Sequence, residues 1–168
     1  QSIDLGFAGF GDIVISDGDA KRISTPSLNI GSAIAGNISI NGSFFPTASA
    51  LALLTAGSVE DDDVNIGISV SELFIGADLG VGLTSPFDVS ALEVTVVTNG
   101  EIHIRSHSPA LLDLRGLGPI TIIGDILDIL GLAGIDALEI STLTPGASIG
   151  LGGATGDLEL DDADLANI

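Results

Sequence analysis

Apolar residues recur at every second position in short segments, most of them introduced by Gly and one polar residue. The clearest are Gly11 Asp12 Ile13 Val14 Ile15, Gly36 Asn37 Ile38 Ser39 Ile40, Gly100 Glu101 Ile102 His103 Ile104, Gly118 Pro119 Ile120 Thr121 Ile122 and Gly156 Asp157 Leu158 Glu159 Leu160. Looser copies run over residues 64–68, 91–96 and 137–140. Alternation rich in β-branched residues, punctuated by Gly and Asn, predicts half-buried strands rather than helices. Segment starts return about every 25 to 28 residues over the first half of the chain and about every 18 to 19 over the second, as stacked coils of strands require. The expected fold is therefore all-β, either a β-solenoid-like coil or a β-sandwich, with residues 1–168 as one β-rich domain; the returning spacing favours the coil.

Two stretches depart from alternation; each reads as a short helix or a loop plugging an end of the sheet, so one or two short helices are expected beside the strands. Residues 48–57 carry Ala and Leu and end at Gly57, a potential helix cap. Residues 124–138 place Ile126, Leu127, Ile129 and Leu130 on one flank, with Asp125 positioned as an N-cap.

Charge narrows the function classes. The 168 residues carry 23 acidic and 4 basic side chains, for a net charge of −19, while 45% are hydrophobic. Binding to nucleic acid needs clustered Lys and Arg, which are absent, and an anionic membrane surface would repel the chain. No apolar run is long enough for a transmembrane helix, and the lack of Trp and Tyr argues against an outer-membrane barrel, so no membrane insertion is expected. Cys is absent, which removes disulfides and thiolate chemistry. Met is absent too, so a chain opening at Gln1 reads as a processed product or a fragment, with removal of a secretory signal as the simplest cause. The expected location is secreted, extracellular or at the cell surface. With so few cations, most carboxylates are expected to face solvent, a bound cation or one another.

Candidate chemistry is sparse. The acidic runs containing Asp61, Asp62 and Asp63, and Asp17 with Asp19, bring several carboxylates close together, as hard cations require. They read either as solvated turns or as calcium sites, and neither run is a full calcium-binding loop. No cofactor is required, with calcium as the candidate ion. On a strand, His103, Arg105 and His107 share the face opposite Ile102 and Ile104, forming a polar row that reads as an exposed sheet face or as a contact for a carboxylate on a neighbouring molecule. No nucleophile motif, phosphate-cradling loop or aromatic sugar platform appears, so the chain is not expected to be an enzyme.

Both ends of the chain read as strands. Ser2 to Phe7 alternates, as does Gly156 to Leu160, and the Lys residues that commonly guard exposed sheet edges are nearly missing. Ile3, Leu5, Phe7, Leu158, Leu160 and Arg105 are therefore the candidate subunit contacts, through which copies of the chain would join head to tail into a filament. The repeated Gly-Asp-Ile-Val-Ile and Gly-Asn-Ile-Ser-Ile strands resemble filamentous-haemagglutinin-type adhesin repeats and secreted β-repeat proteins of Gram-negative bacteria. The resemblance implies an exported, β-rich surface or matrix protein with no catalytic residues to carry over. The functional expectation is a structural subunit of an extracellular fibre or matrix, such as that of a biofilm, self-associating through terminal strands; the alternative is a monomeric calcium-dependent adhesion module.

Overall fold

The structure, a computed structural model, describes residues 1–6, 11–62, 67–134, 136–152 and 154–166. Its strands begin with β1 (Ile3–Gly6), β2 (Ile13–Ser16), β3 (Ser27–Gly31), β4 (Ile38–Asn41), β5 (Ala50–Thr55) and β6 (Ser58–Asp61). They continue with β7 (Ile68–Ser69), β8 (Glu72–Ala77), β9 (Gly80–Val81), β10 (Phe87–Ser90), β11 (Glu93–Thr98) and β12 (Glu101–Ser106). The last are β13 (Ala110–Arg115), β14 (Ile120–Ile123), β15 (Leu127–Ala133), β16 (Leu138–Ser141), β17 (Ile149–Leu151) and β18 (Leu158–Leu160). Two short helices, α1 (Asp17–Ala20) and α2 (Asp162–Ala166), each follow a strand.

Between β3 and β16 the chain passes back and forth between two sheets, β17 and β18 form a separate two-stranded sheet, and all the paired strands are parallel. One sheet runs β16-β14-β12-β9-β6-β4-β1-β2, with β10 and β7 branching from β12; the other runs β15-β13-β11-β8-β5-β3. This is a parallel β-solenoid of about 5 turns, the coil rather than the sandwich. Because a parallel neighbour can be reached only by a crossover, the chain from β4 to β16 visits the second sheet before each return beside the preceding turn.

In-register pairing turns the alternation into ladders. Leu28, Leu51, Leu73, Val94 and Leu112 align through the second sheet, and Ile30, Leu53, Ile75, Val96 and Leu114 form a parallel row. Across the coil, Ile38, Val59, Val81, Ile102 and Ile120 align in the first sheet. Apart from the half-buried Leu28, which packs against them, these side chains are buried and form one apolar cluster between the sheets. A shift of one residue would turn a whole row outward, so the pattern itself fixes the register.

The glycines that introduce the strands have a steric reason. At these corners the backbone of one turn lies directly on that of the next. A Cβ on Gly100 would sit 1.8 Å from the Leu79 carbonyl oxygen, and one on Gly57 would sit 2.1 Å from the Asn37 side-chain oxygen. Gly100→Ala is accordingly expected to lower stability by about 1–3 kcal/mol through forced backbone displacement, as measured by urea denaturation, with unchanged stability as the contrary result.

The two short helices are present, but as α1 and α2 and not at residues 48–57 or 124–138. Residues 48–57 hold β5, in which Leu51 and Leu53 point inward and Ala50, Ala52 and Leu54 are half-buried. Pairing on both sides, with β3 and β8, outweighs the helix propensity of Ala and Leu, since propensity is worth only tenths of a kcal/mol per residue. Residues 124–138 hold β15, which absorbs an irregularity by shifting register opposite Leu112 and Asp113. Asp125 caps no helix; its carboxylate accepts from the amides of Leu143 (2.8 Å) and Thr144 (3.0 Å) and from the Thr144 hydroxyl (2.6 Å). These bonds hold its pKa below the ordinary carboxylate value, the Thr144 hydroxyl contributing most.

Candidate functional site

The two ends of the coil are built differently. At the N-terminal end, β2 closes one sheet and β3 the other, and no described strand lies beyond either. Between them opens a recess of about 710 Å³ lined largely by Ile13, Ile15, Ile23, Leu28 and Ile34. Ile34 is 89% exposed. A solenoid interior is apolar along its length, so the face beyond β2 and β3, which no described strand covers, displays core positions.

At the C-terminal end, α2 and β18 pack on β15. Leu158 and Leu160 join the main apolar cluster. The buried Asp164 carboxylate accepts from the Ile129 amide at 2.8 Å and from the Asp161 amide at 3.0 Å, so a side chain supplies an acceptor to the outermost strand.

This placement corrects the contacts expected from the sequence. Ile3 and Leu5 are core residues, and β1 is an interior strand, paired with β4 on one side and β2 on the other. Leu158 and Leu160 are likewise buried, so none of these four side chains is displayed for a partner. Phe7 lies outside the described residues. The strand that lies outermost is β2, and the alternation of β1 gives no sign that the next segment will pair outside it.

Arg105 is also engaged within the chain. The polar row exists as expected, with His103, Arg105 and His107 alternating against buried Ile102 and Ile104. The carboxylate that meets it belongs to the same molecule. Asp88 aligns with Arg105 across the β10–β12 pair, and its side chain is almost wholly buried. It accepts from Arg105 Nη1 at 3.0 and 3.3 Å and is hydrogen-bonded to His107 Nε2. His103 lies 3.4 Å from Glu101.

The acidic runs are drawn into structural roles. Asp17 receives Lys21 Nζ at 2.5 Å and the Phe45 amide at 2.8 Å. Partial burial opposes its ionisation, but these bonds outweigh that and lower its pKa. Asp19 closes a capping box with Ser16 at the start of α1, and bonding from the Ser16 hydroxyl lowers its pKa. Asp61 is fully buried, with the Asp88 amide 3.2 Å from its carboxylate, while Asp62 is exposed. Asp63 lies outside the described residues. Among the described residues, no three acidic or His side chains are grouped to hold a metal ion.

Nor do the carboxylates divide as their number suggested. Besides solvent and the basic residues, they meet neutral donors: Asp4 accepts from the Gly11 amide (2.5 Å), and Glu60 from the Thr84 amide (3.2 Å) and hydroxyl (3.0 Å). Composition counts charges and cannot count these amides. Among the described residues, no helix is long and apolar enough to cross a membrane. No protein-family model, curated protein or solved structure matches the chain.

Proposed function

We propose that the chain is a non-catalytic structural element of an extracellular fibre or matrix, an exported β-solenoid that associates with copies of itself end to end. The observation that carries this reading is the open N-terminal end, where the apolar recess meets two outermost parallel strands, β2 and β3. Unpaired strand edges invite another chain, and an apolar face of this kind is costly to leave in water. The resemblance to filamentous-haemagglutinin-type adhesin repeats agrees with a coil of parallel strands. The calcium-dependent alternative has less to support it, because Asp17 and Asp19 already serve α1 and its surroundings.

Charge sets the conditions for assembly. Each copy brings a net charge of −19, so stacked copies repel one another, and that repulsion is screened within about 10 Å at 0.1 M salt. Sedimentation equilibrium over a concentration series should therefore show a mass that rises with protein and rises further with salt. A mass of 16.8 kDa at every concentration and salt would contradict the proposal.

A further inference from the structure

The two ends of the chain carry the same supersecondary unit. Ser2 Ile3 Asp4 Leu5 Gly6 corresponds to Ser148 Ile149 Gly150 Leu151 Gly152, and Gly11 Asp12 Ile13 Val14 Ile15 to Gly156 Asp157 Leu158 Glu159 Leu160. The pairing is equivalent: Ile3 aligns with Ile13 and Leu5 with Ile15, as Ile149 aligns with Leu158 and Leu151 with Leu160. The hydrogen bonds repeat as well. The Asp12 carboxylate accepts from the Ser2 amide at 2.9 Å and that of Asp157 from the Ser148 amide at 2.8 Å. A short helix then follows, closed by reciprocal bonds between Ser16 and Asp19 in one unit and between Asp161 and Asp164 in the other.

What differs is which side of each unit is covered. In the N-terminal unit Ile3, Leu5 and Ala20 are 5%, 0% and 0% exposed; their counterparts Ile149, Leu151 and Leu165 are 40%, 56% and 39% exposed. In the C-terminal unit the order reverses. Leu158 and Asp164 are 1% and 7% exposed, whereas their counterparts Ile13 (43%) and Asp19 are exposed. The first unit is covered by the coil that follows it and the second by the coil that precedes it.

We infer that both are halves of one junction, and that the bare face of the N-terminal unit is a docking surface for the C-terminal end of a second copy of this solenoid. In that contact Ile13 and Ile15 take the places of Leu158 and Leu160 against β15, and Asp19 takes that of Asp164 at the Ile129 amide. The chain's own β17, β18 and α2 occupy the same seat, so an incoming copy displaces them. This deepens the end-to-end association proposed above by naming the faces that meet.

The test is a fusion in which residues 1–147 run directly into residues 2–168, so that the second copy's β1, β2 and α1 replace the first copy's terminal unit. Small-angle scattering should show one straight rod of about twice the single-chain length, and the amides of β2 and β3 in the second copy should exchange at least tenfold more slowly than in the single chain. Asp19→Ala in the second copy should reverse much of that protection. Two full chains tied by a flexible Gly-Ser linker supply the comparison: there the first copy keeps its own terminal unit in the seat, and β2 and β3 of the second copy should be less protected than in the fusion. Unchanged exchange at β2 and β3 in the fusion, or a fusion that fails to fold where the linked pair folds, overturns the inference. A rod-like fusion together with a single chain that never associates would leave the junction standing and overturn only the unaided assembly of separate chains.

Discussion

Replacing Ile104 by Asp leaves the chain unable to hold its fold. Ile104 is fully buried and aligns with Phe87 on one side and Ile122 on the other. Truncating such a side chain removes about 2–5 kcal/mol by itself. The carboxylate adds more, since an ionised group without a partner in an apolar interior is either neutralised at the expense of a raised pKa or left charged at several kcal/mol. Together these approach the whole stability of an ordinary domain, about 5–15 kcal/mol. Far-UV circular dichroism in buffer should show the β signal lost in Ile104→Asp and kept in Ile104→Val, whose cost is about 0.5–1.5 kcal/mol. A folded Ile104→Asp chain with near-normal resistance to urea would mean that the side chain does not face the core.

Arg105→Ala has the second largest effect, about 3 kcal/mol lost in urea denaturation. The substitution strands the Asp88 carboxylate, almost wholly buried in the fold, with His107 as its remaining side-chain partner. Removing one member of a buried ion pair costs more than the pair itself contributes, because the desolvated charge stays behind. Converting Asp88 and Arg105 together to Leu should then restore much of what the single change loses. If Arg105→Ala proves neutral, the guanidinium is a surface group and the site is open to a neighbour after all.

The pattern of apolar positions carried most of the fold, and its failures share one cause. Alternation at Ile38 and Ile40, or at Ile102 and Ile104, marks strands because one face of each is buried and the other is not. In β5 the same alternation is present, but its small residues Ala50 and Ala52 make the segment read as helix until the strands on either side are known. Pairing between segments distant in sequence decides such cases, and no local window contains it. The candidate site was hidden for the same reason. Ile13 and Ile15 look like any other repeat strand, and only the order β4-β1-β2 reveals that they lie on the outermost described strand of their sheet. Arg105 shows the reverse: its row is legible from spacing, but its partner Asp88 comes from a strand that the alternation does not mark.

The acidic composition acquires a division of labour. Asp88, Asp164 and Glu60 sit inside the fold on named donors, Asp17 and Asp19 order α1, and exposed carboxylates such as those of Asp62 and Glu159 would supply the repulsion that opposes the proposed stacking. Salt should therefore act mainly on the proposed association, since buried pairs are screened far less than exposed charges.

Electron microscopy of the purified chain, at rising concentration and in high salt, tests end-to-end association most directly. The account predicts unbranched rods one solenoid wide, lengthening with concentration and salt. Isolated particles of a single chain under every condition would contradict it.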